Sequence, residues 1–425
     1  MTTSSPLTES YFHKVSQALA DAGAHRPTLV VDKKHLDHNL ESLMRIINQG
    51  FDYRIVAKSL PSVPMLEYIM RRSGSQRLMS FHLPFLLHVA EHLPTAEILL
   101  GKPMPVESVR QFYQWHKQQQ DSLFKPQQQL QWLVDSNDRL QQYRALAEEL
   151  NIVLNINLEI DVGLHRGGFD NADEFSQALK TLKSSDYIQL SGLMGYEAHI
   201  SKIPGLLGGH KKAFKDAMAT YQGYVDKVVS EFGEQILADL TLNTGGSSTY
   251  PLYDNPESMK GLINEIATAS ALVKPTDFDV FTLDHHIPAA FIATPVLKIV
   301  HDPEFPGAKG ISKLLHKVGL LPRKACFIYG GNWLAKPCYP FEAKRSNILG
   351  HSSNQEMYEL HKDNPIAMDD FMFFRPTQSE AVFLQFGEIA IYDDGKIIDW
   401  WPVFEQERPS SEINTIKKSP EISPR

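Results

Sequence analysis

Four stretches of this chain carry side chains that can do chemistry, and the first is built round a lysine. Residues 52–62 read DYRIVAKSLPS. Arg54 to Ala57, with β-branched Ile55 and Val56, has the pattern of a short buried strand that stops at Lys58 and turns at Pro61. A lysine at such a strand exit sits where α/β folds bind ligands, and its amine can condense with a carbonyl. Partial desolvation there would raise the free-base fraction and make it a nucleophile or base.

The second stretch, 159–170 (EIDVGLHRGGFD), places Glu159, Asp161 and Arg166 in one strand-to-loop passage among Gly163, Gly167 and Gly168. Glycines there admit a flat ligand, and the arginine fork can hold a heteroatom or carboxylate. In the third, 192–200 (GLMGYEAHI), Tyr196, Glu197 and His199 follow an apolar run. The tyrosine offers a ring or a hydroxyl, and the histidine a proton near neutral pH. The fourth, 243–250 (NTGGSSTY), has two glycines followed by three hydroxyl residues. Backbone N–H groups at Gly245 and Gly246 with the hydroxyls of Ser247, Ser248 and Thr249 have the makings of a phosphate nest. No Gly-Lys-Ser/Thr of a nucleotide P-loop accompanies it, so the phosphate would belong to something other than ATP.

Elements that would position these groups can be read in order. A short helix is expected at 8–22, a strand at 27–32 and a helix at 34–49. From the lysine strand onward, strands at 54–57, 77–81, 96–100, 130–134, 151–158, 188–194, 237–242 and 262–268 alternate with helices at 62–72, 83–92, 105–118, 137–149, 171–183, 206–231 and 255–260. Eight strands joined by right-handed crossovers imply parallel pairing and can close into a (β/α)8 TIM-like barrel. An open doubly wound sheet is the alternative, but no Gly-x-Gly-x-x-Gly follows the first strand. After residue 280 the pattern turns to β: long runs at 286–300 and 325–330, then 379–386 and 388–404, the last folded at Asp394-Gly395, with a helical period only at 354–361. The reading is therefore a barrel over 24–280, a mostly antiparallel β domain over 281–405 with residues 1–23 packed on it, and a polar, disordered tail at 406–425.

Composition narrows the partners. The 425 residues carry a net charge of -8 with scattered acids, which gives neither nucleic acid nor an anionic membrane a basic face. There is no basic, apolar leader and no apolar run of membrane-spanning length, which points to the cytoplasm. Cys326 and Cys338 lack metal-type spacing and read as reduced core thiols.

A carbonyl, a ring heteroatom and one phosphate together describe pyridoxal phosphate, whose chemistry needs a Schiff-base lysine. With 27–40 leading to 54–59, then 160–168, 192–199, 244–250, Glu265, 289–297 and 388–404, the chain resembles the pyridoxal-phosphate enzymes of fold type III over roughly residues 25–405. Within them it resembles the D-threonine aldolase and D-serine dehydratase branch of the alanine racemase-like superfamily. The resemblance implies a Schiff base at Lys58, the phosphate held by Thr244 to Thr249, Arg166 and Tyr196 around the ring, Tyr196 and His199 as catalytic groups, and a homodimer that completes the site between subunits. It also implies a divalent metal, Zn²⁺ or Mn²⁺, on a histidine and an acid or thiol two residues on; here Gln378 and Glu380 stand at those positions, with His285 and His286 as imidazoles elsewhere. A lyase on a small D-β-hydroxy amino acid is the function implied, with two alternatives. One is a racemase using Tyr329 or Tyr339 of a partner subunit as second base, the other a regulatory protein that binds the cofactor without catalysis.

Overall fold

The computed structural model describes residues 7–119, 121–203, 209–304, 307, 309–318 and 321–405. The polar tail at 406–425, residues 1–6 and the first three residues of the helix expected at 206–231 lie outside them. Eight strands close a parallel barrel: β2 (Asp52–Val56), β3 (Arg77–Ser80), β4 (Glu97–Leu100), β5 (Leu130–Val134), β6 (Leu154–Ile160), β7 (Ile188–Gly195), β8 (Thr241–Thr244) and β9 (Glu265–Thr268). β9 pairs back with β2, Arg54 opposite Ala267, and leaves no edge. Every residue of β6 is buried, as a strand with the barrel interior on one face and helices on the other must be.

Strand β1 (Thr28–Asp32), read in sequence as the lead-in to the barrel, belongs to a second sheet. All five of its residues are buried, and it is paired on both edges, antiparallel to β10 (Ala290–His301) and parallel to β16 (Glu388–Asp393). The sheet continues through β11 (Lys324–Ile328), β12 (Ala335–Tyr339), β13 (Lys344–Arg345), β14 (Met357–Leu360), β15 (Phe371–Pro376) and β17 (Lys396–Pro402), and these pairs are antiparallel. Helix α1 (Glu9–Asp21) starts at Thr8, whose side chain accepts from the Tyr11 N–H at 3.2 Å. It buries Phe12, Val15, Ala18 and Leu19 against Val30, Phe291, Phe373 and Ala390 of that sheet. The turn at Asp394-Gly395 joins β16 and β17 as expected.

Three sequence expectations in this region are corrected. Residues 354–361 hold strand β14 rather than a helix, because Met357, Tyr358 and Leu360 are buried between β11 and β13. Residues 379–386 form a four-residue helix, Ser379–Val382, and one 3-10 turn, Phe383–Gln385, while the strand lies upstream at β15. A helix at Lys309–Lys317 interrupts the β run. Both cysteines are free, and no helix among the described residues is long and apolar enough to cross a membrane.

Candidate functional site

Lys58 is held by a short turn with a buried frame. β2 ends at Val56 and the chain enters one 3-10 turn, Ala57–Ser59, in which Ala57 and Ser59 are buried while the Lys58 side chain keeps 38% of its surface. Its Nζ lies 4.6 Å from the centre of the Phe81 ring and 3.6 Å from Glu380 Oε1. Phe81 follows β3, whereas Glu380 comes from the short helix after β15 and so from the second sheet. The lysine looks into a cavity of about 120 Å³ at the C-terminal ends of the barrel strands, the face where barrels of this kind place their sites.

Two strands round the barrel from β2, the chain leaving β8 is shaped by a buried acid. Glu197, fully buried just past β7, accepts from Thr244 Oγ1 at 2.9 Å, the Gly245 N–H at 3.2 Å and Thr249 Oγ1 at 2.5 Å. The two threonine hydroxyls are therefore turned to Glu197, and neither residue lines the cavity; nor does Ser248. Gly245, Gly246 and Ser247 do line it, and the N–H groups of Gly246 and Ser247 have no hydrogen-bond partner among the described residues. Glycine is required here twice over: Gly245 has φ +89° and a Cβ there would stand 2.8 Å from Ile266, while a Cβ at Gly246 would stand 2.8 Å from the Tyr196 ring. Ser247 Oγ is fixed by Thr268 Oγ1 at 2.8 Å and the Ala271 N–H at 2.9 Å. Ser270, after β9, donates to Ser59 Oγ at 2.9 Å and adds a hydroxyl residue beside the lysine turn.

Arg166 and Tyr196 close another wall, the guanidinium 4.9 Å from the ring centre. Burial raises the Tyr196 hydroxyl above its ordinary range and the Glu197 charge adds to this, with Arg166 opposing. His199 stands elsewhere. It does not line the cavity; its Nε2 would lie 3.2 Å from a Cβ on Gly163, its Nδ1 is buried with no hydrogen-bond partner among the described residues, and burial lowers its pKa. Strand β6 extends to Ile160, so Glu159 is a buried strand residue rather than a loop residue.

The metal expected on Gln378 and Glu380 does not fit this donor set. Gln378 donates its amide to Asp277 Oδ2 at 3.1 Å, and Glu380 faces Lys58. Among the described residues no group of three or more His, Cys, Asp or Glu is arranged to hold an ion. His286 Nε2 is bonded to the Tyr250 hydroxyl at 2.5 Å and its Nδ1 to the Ala271 carbonyl at 2.9 Å, a buried structural pairing. Pyridoxal phosphate fares otherwise: a lysine amine, open N–H groups at Gly246 and Ser247, and Tyr196 with Arg166 line one cavity and suit its carbonyl, phosphate and ring.

Sequence reasoning placed Lys58, Arg166, Tyr196 and the 245–247 segment together and missed the groups that hold them. Glu197 stood in a quoted motif without a role, and its carboxylate is what sets the loop. Glu265, likewise quoted, lies in the barrel interior, where its carboxylate accepts from Arg54, Arg77 and Asn243.

Three comparisons with known proteins bear on the chain. The family model described as the alanine racemase N-terminal domain matches residues 31–260. A sequence search of curated proteins finds no match. Among solved structures, D-threonine aldolase from Filomicrobium marinum is similar at TM-score 0.68 and 13% identity, covering 89% of this chain and 95% of its own. D-threo-3-hydroxyaspartate dehydratase from Delftia sp. HT23 is similar at TM-score 0.65 and 15% identity, covering 89% and 97%. An alanine racemase of Clostridium difficile 630 is similar at TM-score 0.61 and 14% identity, covering 88% and 98%. At such identities the likeness is one of fold.

Proposed function

Since the chain belongs to the family of the alanine racemase N-terminal domain, we propose that it is a pyridoxal-phosphate-dependent lyase, an aldolase or dehydratase, acting on a small D-β-hydroxy amino acid. The observation that carries this reading is the Lys58 amine facing the Glu380 carboxylate at 3.6 Å over a cavity that Gly246 and Ser247 also line, with N–H groups that have no partner among the described residues. When bound, pyridoxal phosphate supplies the electron sink that stabilises charge at Cα when a bond to it breaks. The N–H groups of Gly246 and Ser247, beside Ser270, receive a phosphate, and the Arg166 fork receives the substrate carboxylate. In elimination Lys58 takes the α proton and Glu380 relays a proton to the departing β-oxygen, which leaves as water. In cleavage the α hydrogen stays in place, Glu380 takes the β-hydroxyl proton as the Cα–Cβ bond breaks, and the Lys58–Glu380 pair returns a proton to Cα in place of the lost carbon. The aldolase and dehydratase of like fold support this choice, and the carboxylate opposite Lys58 gives β-oxygen chemistry a proton carrier from within the chain.

A racemase is the second reading, and one observation favours it. Tyr329, just past β11, is 45% exposed and shares a surface pocket with exposed Leu297, from where it could complete the site of a second copy in a homodimer. Tyr339, the other tyrosine considered, stacks on Phe12 at 4.9 Å and is committed to the core. The test is incubation with D- and L-serine, threonine and alanine in deuterated water, with and without chelator, reading keto acid, aldehyde plus glycine, and α-deuterium separately. Keto acid or aldehyde is expected, indifferent to chelator, with Glu380→Gln slower by about 100-fold. Inverted, α-deuterated product without either would decide for the racemase, and no turnover of any substrate for a silent carrier.

The cradle has its own test. Gly246→Val should push the Tyr196 ring out of place and spoil the N–H cradle, weakening cofactor binding by about tenfold to a hundredfold, the worth of one charge-assisted hydrogen bond or so. An absorbance titration measures this, with circular dichroism as the fold control. An unchanged Kd would mean that the phosphate is held elsewhere.

A further inference from the structure

We propose that the outer pocket, which opens from the Lys58 cavity, receives a positively charged group at the end of the substrate's side chain, held between Asp135 and Glu159. This rests on the amino-acid lyase reading and narrows its substrate to D-β-hydroxy amino acids whose side chain continues to a distal ammonium or guanidinium. The pocket encloses about 460 Å³, and Lys58, Arg166 and Glu380 line both it and the inner cavity. There is room beside the reacting centre for a side chain longer than that of serine or threonine.

The two acids are neighbours by register. Val134 of β5 is paired with Leu158 of β6, so the next residues, Asp135 just past β5 and Glu159 within β6, stand side by side. Both line the pocket. Glu159 is only 9% exposed, and its carboxylate makes no hydrogen bond or ion pair among the described residues; among the same residues Asp135 accepts from Ser136 Oγ alone, at 3.2 Å. A buried carboxylate without a partner is costly, and one beside a second carboxylate more so. Burial accordingly pushes Glu159 up to about 7, with Arg166 opposing and Asp135 and Asp161 adding to the rise. Arg166 relieves it only in part. Arg166 is drawn over the Tyr196 ring and makes no ion pair with Glu159, and Asp161 is taken up by His165 at 2.7 Å and the loop N–H groups. Of the other groups that line the pocket, Lys102 is exposed and solvated, while His82 packs on Phe85 at 4.0 Å. A solvated lysine needs no counter-ion, whereas the buried carboxylate does, so the wanted ligand group is a cation.

The test titrates the cofactor-loaded enzyme with D-ornithine and with D-norleucine, which has a methyl where ornithine has its ammonium, and follows the cofactor's absorbance. D-ornithine should bind at least tenfold more tightly. In Glu159→Gln and in Asp135→Asn that ratio should fall at least fivefold; being internal to each protein, it does not depend on how much of the variant is folded. Equal binding of the two ligands, or tighter binding of D-glutamate, which would assign the pocket to Lys102 and His82, overturns the proposal. So does Mn²⁺ binding by calorimetry that is lost in both variants and unaffected by D-ornithine, which would make the pair a metal site. If the protein takes up no pyridoxal phosphate at all, the lyase reading falls with this one. An intact cofactor spectrum without ornithine preference sinks this inference alone.

Discussion

Lys58→Ala should lower turnover by on the order of 10,000-fold, the scale on which removal of a covalent catalyst is felt. The protein should also lose the absorbance of a bound Schiff base. In the wild-type enzyme, borohydride reduction followed by peptide mapping should place the cofactor on Lys58 and on no other lysine. The substitution costs the fold little. Ala57 and Ser59 supply the buried part of the turn, and the Lys58–Glu380 pair is more than a third exposed on each side, so it contributes at most about 1 kcal/mol. Unfolding midpoints close to wild type with activity abolished is therefore the expected pair of results. A label on a different lysine would remove the basis of the proposed function.

Why this lysine could be picked out is a matter of where sequence patterns are informative. In the barrel each strand is short, apolar and followed by a helix whose buried face repeats every three to four residues, so element type and order follow from periodicity. Leu36, Leu40, Leu43 and Ile47 show that repeat in the helix Lys33–Ile47, and all four are buried. In the second sheet the signal fails at two segments. Residues 354–361 hold too few apolar positions to tell a period of two from one of 3.6, and the pairing partners that decide the matter, Phe327 for Met357 and Cys326 for Tyr358, lie some thirty residues away. The run SEAVFLQF at 379–386 has β-forming residues, yet Val382 and Phe383 are buried from helical turns. That miss matters to the site, because it concealed how Glu380 reaches Lys58. The glycine segment was legible as a loop that approaches a ligand. Its support was not: a buried glutamate such as Glu197 looks in sequence like any surface acid.

Glu265 sets the second large effect. It is fully buried inside the barrel, and Arg54, whose side chain is 1% exposed, is bound to it through two nitrogens, Nη2 to Oε2 at 2.7 Å and Nε to Oε1. Arg77 Nη1 adds a contact at 2.9 Å and Asn243 Nδ2 another at 2.7 Å. Asn243 lies two residues before Gly245, so the network also steadies the strand that carries the cradle. Glu265→Ala would leave the Arg54 guanidinium buried with only the Leu78 and Glu97 carbonyls, each at 2.9 Å, and no counter-charge. The expected loss is roughly 3–5 kcal/mol in urea unfolding, with weakened cofactor binding as a second consequence. Replacing both partners with apolar residues, Arg54→Met with Glu265→Leu, should recover much of that, because the cost lies in the orphaned charge. The pH dependence has a definite sign. Burial alone would raise the Glu265 carboxyl, but Arg54 and Arg77 reverse this and hold it below the usual carboxylate range. Its contribution is then complete above an unfolded pKa of roughly 4.3 and is lost as pH falls through the lower folded value. Glu265→Gln, which has no proton to take up, should show a flatter acid limb than wild type. A Glu265→Ala protein within 1 kcal/mol of wild type would mean that Arg54 finds water or another acid, and that the barrel interior is wetter than its burial indicates.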